Sequence, residues 1–323
     1  MKYYNSKYGK LGGFTSVEAY PDGQIKDCIL EESNMILTPY GKLVPQFEQD
    51  GVRRKYTYSL SFYKDGNIKG ISLNDQTKIN TRIGVFEAEK ITFYENGSIK
   101  RLFPLNGKIS GYWTEENECD LAKEYVFESS LGTLRCKVIS IQFYENESLK
   151  SITLWPNEIL ELNTVDNKIK VRTGISFYEN GLLKSCEPAE ITPVNTAIGT
   201  MMAYDTNSLG IHGERNSLVF DKSGNVKSLI SSTDKIEVVI KNKEKVVYIP
   251  GEKTNLFNNF IKDIIPLKIE FLDKTVRING DSYLIHEASF KITNNYKKIK
   301  VAQSNCSSCS SCELKNTGIE IVV

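Results

Sequence analysis

The most regular feature of the chain is a twelve-residue pattern, in which an apolar run ending in an aromatic residue is followed by a turn and a second apolar run. The clearest copy is Ile91 to Leu102, which reads ITFYENGSIKRL. The other copies lie at Leu60 to Ile71, Ile141 to Ile152, Ile175 to Cys186, Val17 to Cys28 and Leu218 to Leu229. Two apolar runs around a glycine-containing turn are typical of a β-hairpin. A repeat of this kind determines the fold, so we predict six related hairpins.

The first copy indicates the geometry of the turn, because it reads Tyr20-Pro21-Asp22-Gly23. Proline fixes φ at about −65°, and glycine can adopt a positive φ, which together favour a type I turn closed by a glycine bulge. This register places Phe93 opposite Ile99 on a core face, with Lys100 on the other face beside Tyr94. One copy carries Glu147 in place of the glycine. A glutamate at positive φ costs about 1 kcal/mol, so this turn is predicted to be strained or of another type.

The segments between the copies also combine β-branched residues with turn signals, as in Met35 to Gly41, Ile79 to Gly84 and Ile191 to Gly199. Each repeat is therefore predicted to contain two hairpins. A single hairpin is marginally stable in water, so neighbouring hairpins must pair or stack. The predicted fold is mainly β, an antiparallel β-hairpin repeat array that forms an extended twisted sheet or an irregular β-solenoid. A short helical turn is expected near Leu121 to Tyr125.

The chain divides into three predicted regions. Residues 1–234 form the β-hairpin repeat domain, residues 235–302 a small α+β C-terminal domain, and residues 303–323 a cysteine-rich tail. The C-terminal domain is expected to combine a β-sheet with one helix over Asn255 to Ile265. Apolar residues recur there at helical spacing, and Pro266 would end the helix.

Charge and composition narrow the classes of partner. The 41 Lys and Arg residues nearly balance the 40 Asp and Glu residues, for a formal net charge of +1. This balance disfavours nucleic acid or an anionic membrane as a partner. The sequence has no signal-peptide core and no apolar run of membrane-spanning length. Its seven cysteines are odd in number and partly clustered, which does not resemble a disulfide framework. We therefore expect a soluble, cytoplasmic protein.

The repeated unit [Phe/Ala]-Tyr-x-[Asn/Asp]-Gly-x-[Ile/Leu]-Lys resembles the bacterial variant of the MORN repeat, and the resemblance covers the six short segments. It implies β-hairpin repeats that serve mostly as interaction modules, some of them similar to antitoxin or immunity proteins. A partner protein is therefore expected. The resemblance carries over no catalytic residue, and none is predicted.

Each repeat also carries a lysine at the same position of its second strand, usually near a tyrosine. The six are Lys26, Lys69, Lys100, Lys150, Lys184 and Lys227. An aligned row of tyrosine and lysine side chains could bind a polyanion. The favoured interpretation is a solvated sheet face whose lysines deter edge-to-edge aggregation, because Glu95, Glu145 and Glu179 at the turns offset the positive charge.

The strongest chemical signal is Cys306-Ser-Ser-Cys309-Ser-Ser-Cys312 near the end of the sequence. Thiolates at this spacing can converge on one metal ion, and the run resembles the opening of bacterial ferredoxin segments, although the fourth cysteine is absent. Cys306, Cys309 and Cys312 are therefore the predicted ligands of an iron–sulfur cluster. Zinc is the alternative, less favoured because no histidine lies nearby. A fourth ligand would come from elsewhere, and the candidates are Cys28, Cys119, Cys136, Cys186 and His286.

The two histidines and two of the remaining cysteines give no indication of a functional site. His212 and His286 are isolated in sequence, which favours structural roles. Cys28 and Cys186 share one repeat position, where other copies carry Ile or Leu, so both are predicted to be buried apolar residues.

Two functional hypotheses follow. In the first, the chain is a non-catalytic β-repeat scaffold whose tail holds a cluster or metal for electron or metal transfer to a partner protein. In the second, it is an immunity-like or peptide-carrying interaction protein whose cysteine tail is modified after translation or is redox-active. The sequence does not indicate an oligomeric state.

Overall fold

The computed structural model describes residues 3–164, 168–208, 213–240, 245–256, 258, 260 and 262–294. The structure is mainly β, with 59% strand and, among the described residues, one short helix. This confirms the predicted mainly-β, antiparallel class. Contacts divide the chain into two compact units, the first comprising Met1–Ser129, Thr133–Trp155 and Glu179–Gly181, and the second the remaining residues. The predicted boundaries after residues 234 and 302 stay predictions.

The elements of the first unit are β1 (Tyr3–Ser6), β2 (Gly9–Gly12), β3 (Phe14–Ala19), β4 (Ile25–Leu30), β5 (Ile36–Thr38), β6 (Gly41–Leu43), β7 (Leu60–Phe62), β8 (Ile68–Thr81), β9 (Gly84–Phe93), β10 (Ile99–Phe103), α1 (Glu115–Asp120), β11 (Glu124–Ser129), β12 (Gly132–Phe143) and β13 (Leu149–Leu154). Antiparallel pairing joins β3, β4, β7, β8, β9, β10, β12 and β13 in that order.

The elements of the second unit are β14 (Leu160–Asn163), β15 (Lys168–Phe177), β16 (Leu183–Pro188), β17 (Thr192–Thr196), β18 (Gly199–Ala203), β19 (Leu218–Phe220), β20 (Val226–Ser231), β21 (Asp234–Ile240), β22 (Val246–Tyr248), β23 (Gly251–Thr254), β24 (Lys262–Ile265), β25 (Leu267–Leu272), β26 (Thr275–Ile278), β27 (Asp281–Leu284) and β28 (Ala288–Asn294). Here β14, β15, β16, β19, β20, β25, β26 and β27 pair in order. Among the described strands, neither series is closed on itself.

The repeat hairpins form in the predicted register. Phe93 lies opposite Ile99, and the register then shifts by a bulge. The Tyr94 N–H donates to the Ser98 carbonyl at 2.9 Å, and the Gly97 N–H donates to the Tyr94 carbonyl at 3.0 Å. Gly97 has φ of 86°, a conformation that suits glycine because it lacks Cβ. The predicted three-residue loop with a glycine bulge is confirmed.

Glu147 adopts the same turn at φ of 65° and is therefore a strained residue rather than a different turn type. Its N–H donates to the Tyr144 carbonyl at 2.9 Å, like the glycines of the other copies. The Glu147 carboxylate accepts a 2.6 Å hydrogen bond from the Tyr40 hydroxyl, which also accepts from the Ile99 N–H at 3.0 Å. This side-chain contact offsets the backbone cost and ties a neighbouring hairpin to the turn.

Aliphatic residues from successive hairpins form one continuous row through the core of the first unit. Its members are Cys28, Leu60, Ile71, Ile91, Leu102, Ile141 and Ile152, each no more than 1% exposed. Cys186 holds the same place in the second unit, between Ile175 and Leu218. Both cysteines are buried, as predicted, and burial raises the pKa of the Cys28 thiol to about 12. Full burial of such aliphatic side chains stabilises by about 1.5–3 kcal/mol each.

The predicted second hairpin of each repeat is confirmed at β5–β6, at the distal ends of β8 and β9, and at β17–β18. These three hairpins and the β1–β2 hairpin share a turn in which a Ser or Thr hydroxyl donates to a glycine carbonyl three residues later. The pairs are Ser6 with Gly9, Thr38 with Gly41, Thr81 with Gly84, and Thr196 with Gly199, at 2.6–2.9 Å. The chain thus contains a second repeated motif, [Ser/Thr]-x-x-Gly, which the sequence analysis missed.

Both helix predictions need correction. The helix α1 precedes the segment expected at Leu121 to Tyr125, because Thr114 and Asn117 form a capping box that fixes its start. The helix predicted over Asn255 to Ile265 is wrong at its end, since Lys262–Ile265 is strand β24 and pairs with β23. Leu256 and Phe260 are 91% and 99% exposed, so the apolar spacing does not mark a buried helical face. No described helix is long and apolar enough to cross a membrane.

Candidate functional site

The predicted cofactor and metal ligands Cys306, Cys309 and Cys312 lie outside the described residues, as does His212. Within the part of the chain that the structure describes, no group of three or more His, Cys, Asp and Glu side chains could hold a metal ion. Of the proposed fourth ligands, Cys28, Cys136 and Cys186 are buried and Cys119 is half-buried. His286 is exposed, with its Nε2 atom 3.6 Å from a carboxylate oxygen of Glu287.

The lysine and tyrosine side chains of the repeats lie beside one another, as the predicted register requires. In the first unit the ammonium group lies 5.5–5.8 Å from the centroid of the tyrosine ring in the pairs Lys69–Tyr63, Lys100–Tyr94 and Lys150–Tyr144. In the second unit Lys184 lies 5.9 Å from the Tyr178 ring. Lys26 instead pairs with the carboxylates of Glu18 and Asp27 at 3.3 and 3.4 Å. Contacts between a cation and a ring face at exposed positions contribute about 0.5–1 kcal/mol.

Four tyrosine hydroxyls of the repeats link neighbouring hairpins within a unit. Each of the four donates to the backbone carbonyl of the phenylalanine that ends the first strand of the following hairpin, at 2.8–3.0 Å. The pairs are Tyr20 with Phe62, Tyr63 with Phe93, Tyr94 with Phe143, and Tyr178 with Phe220. Partial burial raises the pKa of Tyr63 and Tyr178, which keeps their hydroxyls protonated as donors. We call this set the tyrosine ladder.

Sequence analysis did not find the role of the tyrosine ladder, although a signal was present. Five copies carry tyrosine at this position, Tyr20, Tyr63, Tyr94, Tyr144 and Tyr178, and none carries phenylalanine. A position that needs only an aromatic ring would accept phenylalanine equally well. The consistent hydroxyl therefore indicates a hydrogen bond.

A buried charged cluster anchors loops in the first unit. The Arg53 guanidinium donates two 2.9 Å hydrogen bonds to Glu89 and bonds of 2.9 and 3.0 Å to Glu118. Glu118 also accepts from the Gly107 N–H at 2.8 Å and from the Trp113 indole at 2.6 Å. A Cβ on Gly107 would lie 2.2 Å from a Glu118 oxygen, so only glycine fits. Bidentate pairing satisfies both carboxylates, and the cluster fastens α1 to β9.

A second polar cluster lies inside the second unit around Glu187, whose side chain is 2% exposed. Its carboxyl oxygens accept from the Ser217 N–H at 2.7 Å and the Ser217 hydroxyl at 2.9 Å. The Arg172 guanidinium is 3.9 Å away and donates to the Asp205 carbonyl at 2.7 Å. Burial raises the pKa of Glu187 to about 7, although the Ser217 bonds and the charge of Arg172 oppose that change.

These clusters bring together residues that sequence reasoning did not connect. Arg53, Glu89 and Glu118 come from three separate segments, and so do Arg172, Glu187 and Ser217. Their polar groups contact one another or the backbone, which suits anchoring of loops. A further shallow depression near Ile265 and Pro266 contains the Arg277–Glu270 ion pair, with 2.9 Å between the nitrogen and oxygen atoms.

Comparison with known proteins adds no assignment. The chain matches no protein-family model, no curated protein and no solved structure. The resemblance to MORN-type repeats therefore stays a prediction made from the repeated unit itself.

Proposed function

We propose that this chain is a non-catalytic β-repeat scaffold that binds a partner protein and carries an iron–sulfur cluster or metal on its cysteine tail. The tyrosine ladder is the observation that carries the proposal. Four of the repeat tyrosines donate hydrogen bonds that join one hairpin to the next within a unit and so support the antiparallel pairing of each series. A sheet assembled from nearly identical hairpins offers an extended surface, which suits recognition of another protein.

The tail supplies the second part of the proposed function. Three cysteines within seven residues, Cys306, Cys309 and Cys312, have the spacing of thiolate ligands to one metal centre. Cys28 and Cys186 are buried in the aliphatic rows, so neither is a suitable fourth ligand in the folded protein. Cys119 and His286 are more accessible candidates. The centre would transfer electrons or metal to the protein bound by the sheet.

Metal content tests this proposal. The full chain is purified without oxygen, and its ultraviolet–visible spectrum is recorded together with iron and zinc analysis. We expect a broad absorbance near about 400 nm from thiolate–iron charge transfer, with several irons per chain. The triple variant Cys306→Ser, Cys309→Ser, Cys312→Ser should lose both signals.

Cys119→Ser is the matched control for replacement of a thiol outside the tail. If it retains the metal, Cys119 is not a ligand, whereas loss would identify Cys119 as the fourth ligand. Wild-type protein that is colourless and free of metal after anaerobic purification would contradict the cluster and the zinc alternative together.

An immunity-like or peptide-carrying role with a modified tail is the second candidate. Its supporting observation is the alternation of cysteine with pairs of serine over Cys306 to Cys312, which suits crosslinking or thiol exchange. The intact mass of protein from cells that contain the neighbouring genes distinguishes it from metal binding. A mass shift located in the tail supports modification, and an unmodified mass argues against it.

A further inference from the structure

The first strand of the repeat series, β3, is an open sheet edge. It pairs with β4 on one side, and no described strand pairs with its other side. Five of its six side chains are exposed, from Thr15 to Ala19. Exposed edge strands present unpaired N–H and C=O groups that can receive another strand.

The aliphatic row of the first unit is incomplete at this edge. Val17 pairs with Cys28 and so begins the row that continues through Leu60. Cys28 and Leu60 are fully buried, whereas Val17 is 39% exposed. An aliphatic side chain on a strand added beside β3 would cover Val17 as Leu60 covers Cys28.

The tyrosine ladder is incomplete at the same edge. Ala19 occupies the position that Phe62, Phe93 and Phe143 occupy in later hairpins. Each of those three carbonyls accepts a hydrogen bond from the tyrosine of the preceding hairpin. Among the described residues, no hydroxyl donates to the Ala19 carbonyl. A preceding hairpin of the same type would supply that donor.

The join between hairpins has a constant register in the first unit. The aliphatic residue in the second strand of one hairpin lies opposite the aliphatic residue in the first strand of the next hairpin, as Leu102 lies opposite Ile141. Arg101, the residue before Leu102, lies opposite Gln142, the residue after Ile141. The same arrangement joins Cys28 to Leu60 and Ile71 to Ile91. Applied to β3, this register places an aliphatic residue of the added strand opposite Val17. The residue before it on the added strand then lies opposite Glu18.

We infer that the outer edge of β3 is the docking site for a repeat-type β-hairpin carried by a different protein. This inference rests on the proposed binding role and names the chemistry of the partner. The incoming hairpin would place its tyrosine hydroxyl on the Ala19 carbonyl and an aliphatic residue against Val17. A basic residue before that aliphatic residue would lie opposite Glu18, whose carboxylate already pairs with Lys26 and accepts from the Tyr58 hydroxyl.

A second copy of this chain fits the edge less well. The last repeat hairpin carries Asp221 where the others carry tyrosine, and a carboxylate cannot donate to the Ala19 carbonyl. The second strand of that hairpin, β20, is already paired with β25. The last repeat hairpin therefore has no second strand open for pairing with β3. It also has no tyrosine hydroxyl to donate to the Ala19 carbonyl.

The probe is a fluorescent peptide with the sequence of residues 89–103, which contains a tyrosine, an arginine and a leucine at the required positions. We expect saturable anisotropy changes with the full chain, and slower hydrogen exchange of the amides of residues 14–19. Val17→Lys places a charge in the aliphatic row and should weaken binding at least about tenfold. A peptide with phenylalanine for tyrosine should bind about fivefold more weakly, since it lacks the ladder hydroxyl.

Leu284→Lys is the matched control, because Leu284 is 42% exposed on β27, which ends the described strand series of the second unit. It should leave peptide binding unchanged. Absence of saturable binding to the wild type, or equal binding by Val17→Lys, would overturn the assignment. A wild-type dimer that Val17→Lys dissociates would overturn it in favour of a second copy. Metal content measured on the same samples keeps the two proposals separate, because none of these outcomes alters it.

Discussion

Glu187 places an ionisable carboxyl group in the interior of the second unit, with Ser217 and Arg172 as neighbours. Burial disfavours the charged form and raises its pKa to about 7 from an ordinary value of 4.5. Hydrogen bonds from Ser217 and the charge of Arg172 favour the charged form, and the charge of Asp205 opposes it. Burial dominates this balance, so the group changes its charge near neutral pH.

The pH dependence of stability should show this change. Between pH about 4.5 and about 7 the folded chain holds a proton on Glu187 that the unfolded chain has lost, so the free energy of unfolding falls as pH rises. The shift corresponds to about 3 kcal/mol, fully present below pH about 4.5 and lost as pH rises through about 7. Glu187→Gln should flatten this decline. Chemical denaturation of the wild type and the variant at pH 5, 6, 7 and 8 measures the decline in the free energy of unfolding.

Glu190→Gln provides the control for this comparison, because the Glu190 side chain is 59% exposed. It should keep the wild-type decline. An equal decline in Glu187→Gln and the wild type would show that another group is responsible.

The sequence predicts the burial or backbone conformation of some residues but not their long-range contacts. Burial of Cys28 and Cys186 follows from their repeat position, because the other copies place Ile or Leu there. The strained Glu147 is visible as the one break in a series of glycines. Its contact with Tyr40 is not, because the two residues are far apart in sequence and meet only in the fold. The same limit hides the Arg53 cluster.

At the scale of elements, the tyrosine ladder determines how hairpins join. Tyr63→Phe removes the 2.8 Å bond to the Phe93 carbonyl and leaves that acceptor without its donor. We expect the free energy of unfolding to fall by about 1 kcal/mol. Denaturant unfolding, followed by circular dichroism, measures the change.

Tyr112→Phe is the matched control, because the Tyr112 side chain is 91% exposed. Its effect should stay within about 0.5 kcal/mol. Equal small effects in both variants would show that the Tyr63 hydrogen bond adds no more to the free energy of unfolding than a hydrogen bond to water would.

Elements were predictable where their signals are local. The repeat hairpins follow from a turn of three residues and the alternation on either side of it, and both lie within twelve residues. Three of the four [Ser/Thr]-x-x-Gly hairpins were predicted as hairpins, the exception being β1–β2, but their shared turn chemistry was overlooked. Over Asn255 to Ile265 the apolar spacing favours a helix, whereas the structure pairs Ile265 with Gly251. The helical spacing is therefore misleading here, because the pairing of β23 with β24 overrides the local pattern.

At the scale of the whole molecule, charge is nearly balanced, and five of the six repeat lysines contact a tyrosine ring or a carboxylate of the chain. Lys69, Lys100 and Lys150 lie over tyrosine rings, and Lys26 pairs with two carboxylates. We therefore expect binding to double-stranded DNA no tighter than the non-specific range of about 10⁻⁴ to 10⁻⁶ M. Anisotropy titration of labelled DNA at low and at physiological salt measures this.

The triple variant Lys69→Glu, Lys100→Glu, Lys150→Glu serves as the comparison. Its DNA binding should be weak like that of the wild type and no tighter, because each Lys→Glu change adds charge that phosphate repels. Tight, salt-dependent binding that only the variant loses would establish the lysine row as a polyanion site and contradict the solvated-face interpretation.

The constant join between hairpins has an evolutionary consequence. The spacing from Tyr20 to Tyr63 is 43 residues and that from Tyr63 to Tyr94 is 31, yet both joins use the same pair of facing positions. Differences in length are absorbed by the intervening hairpins and loops. Copying or deleting one repeat at the gene level would therefore give each neighbour a new partner with the same aliphatic residue and the same hydroxyl. Such an architecture can change its length by duplication without redesigning its core.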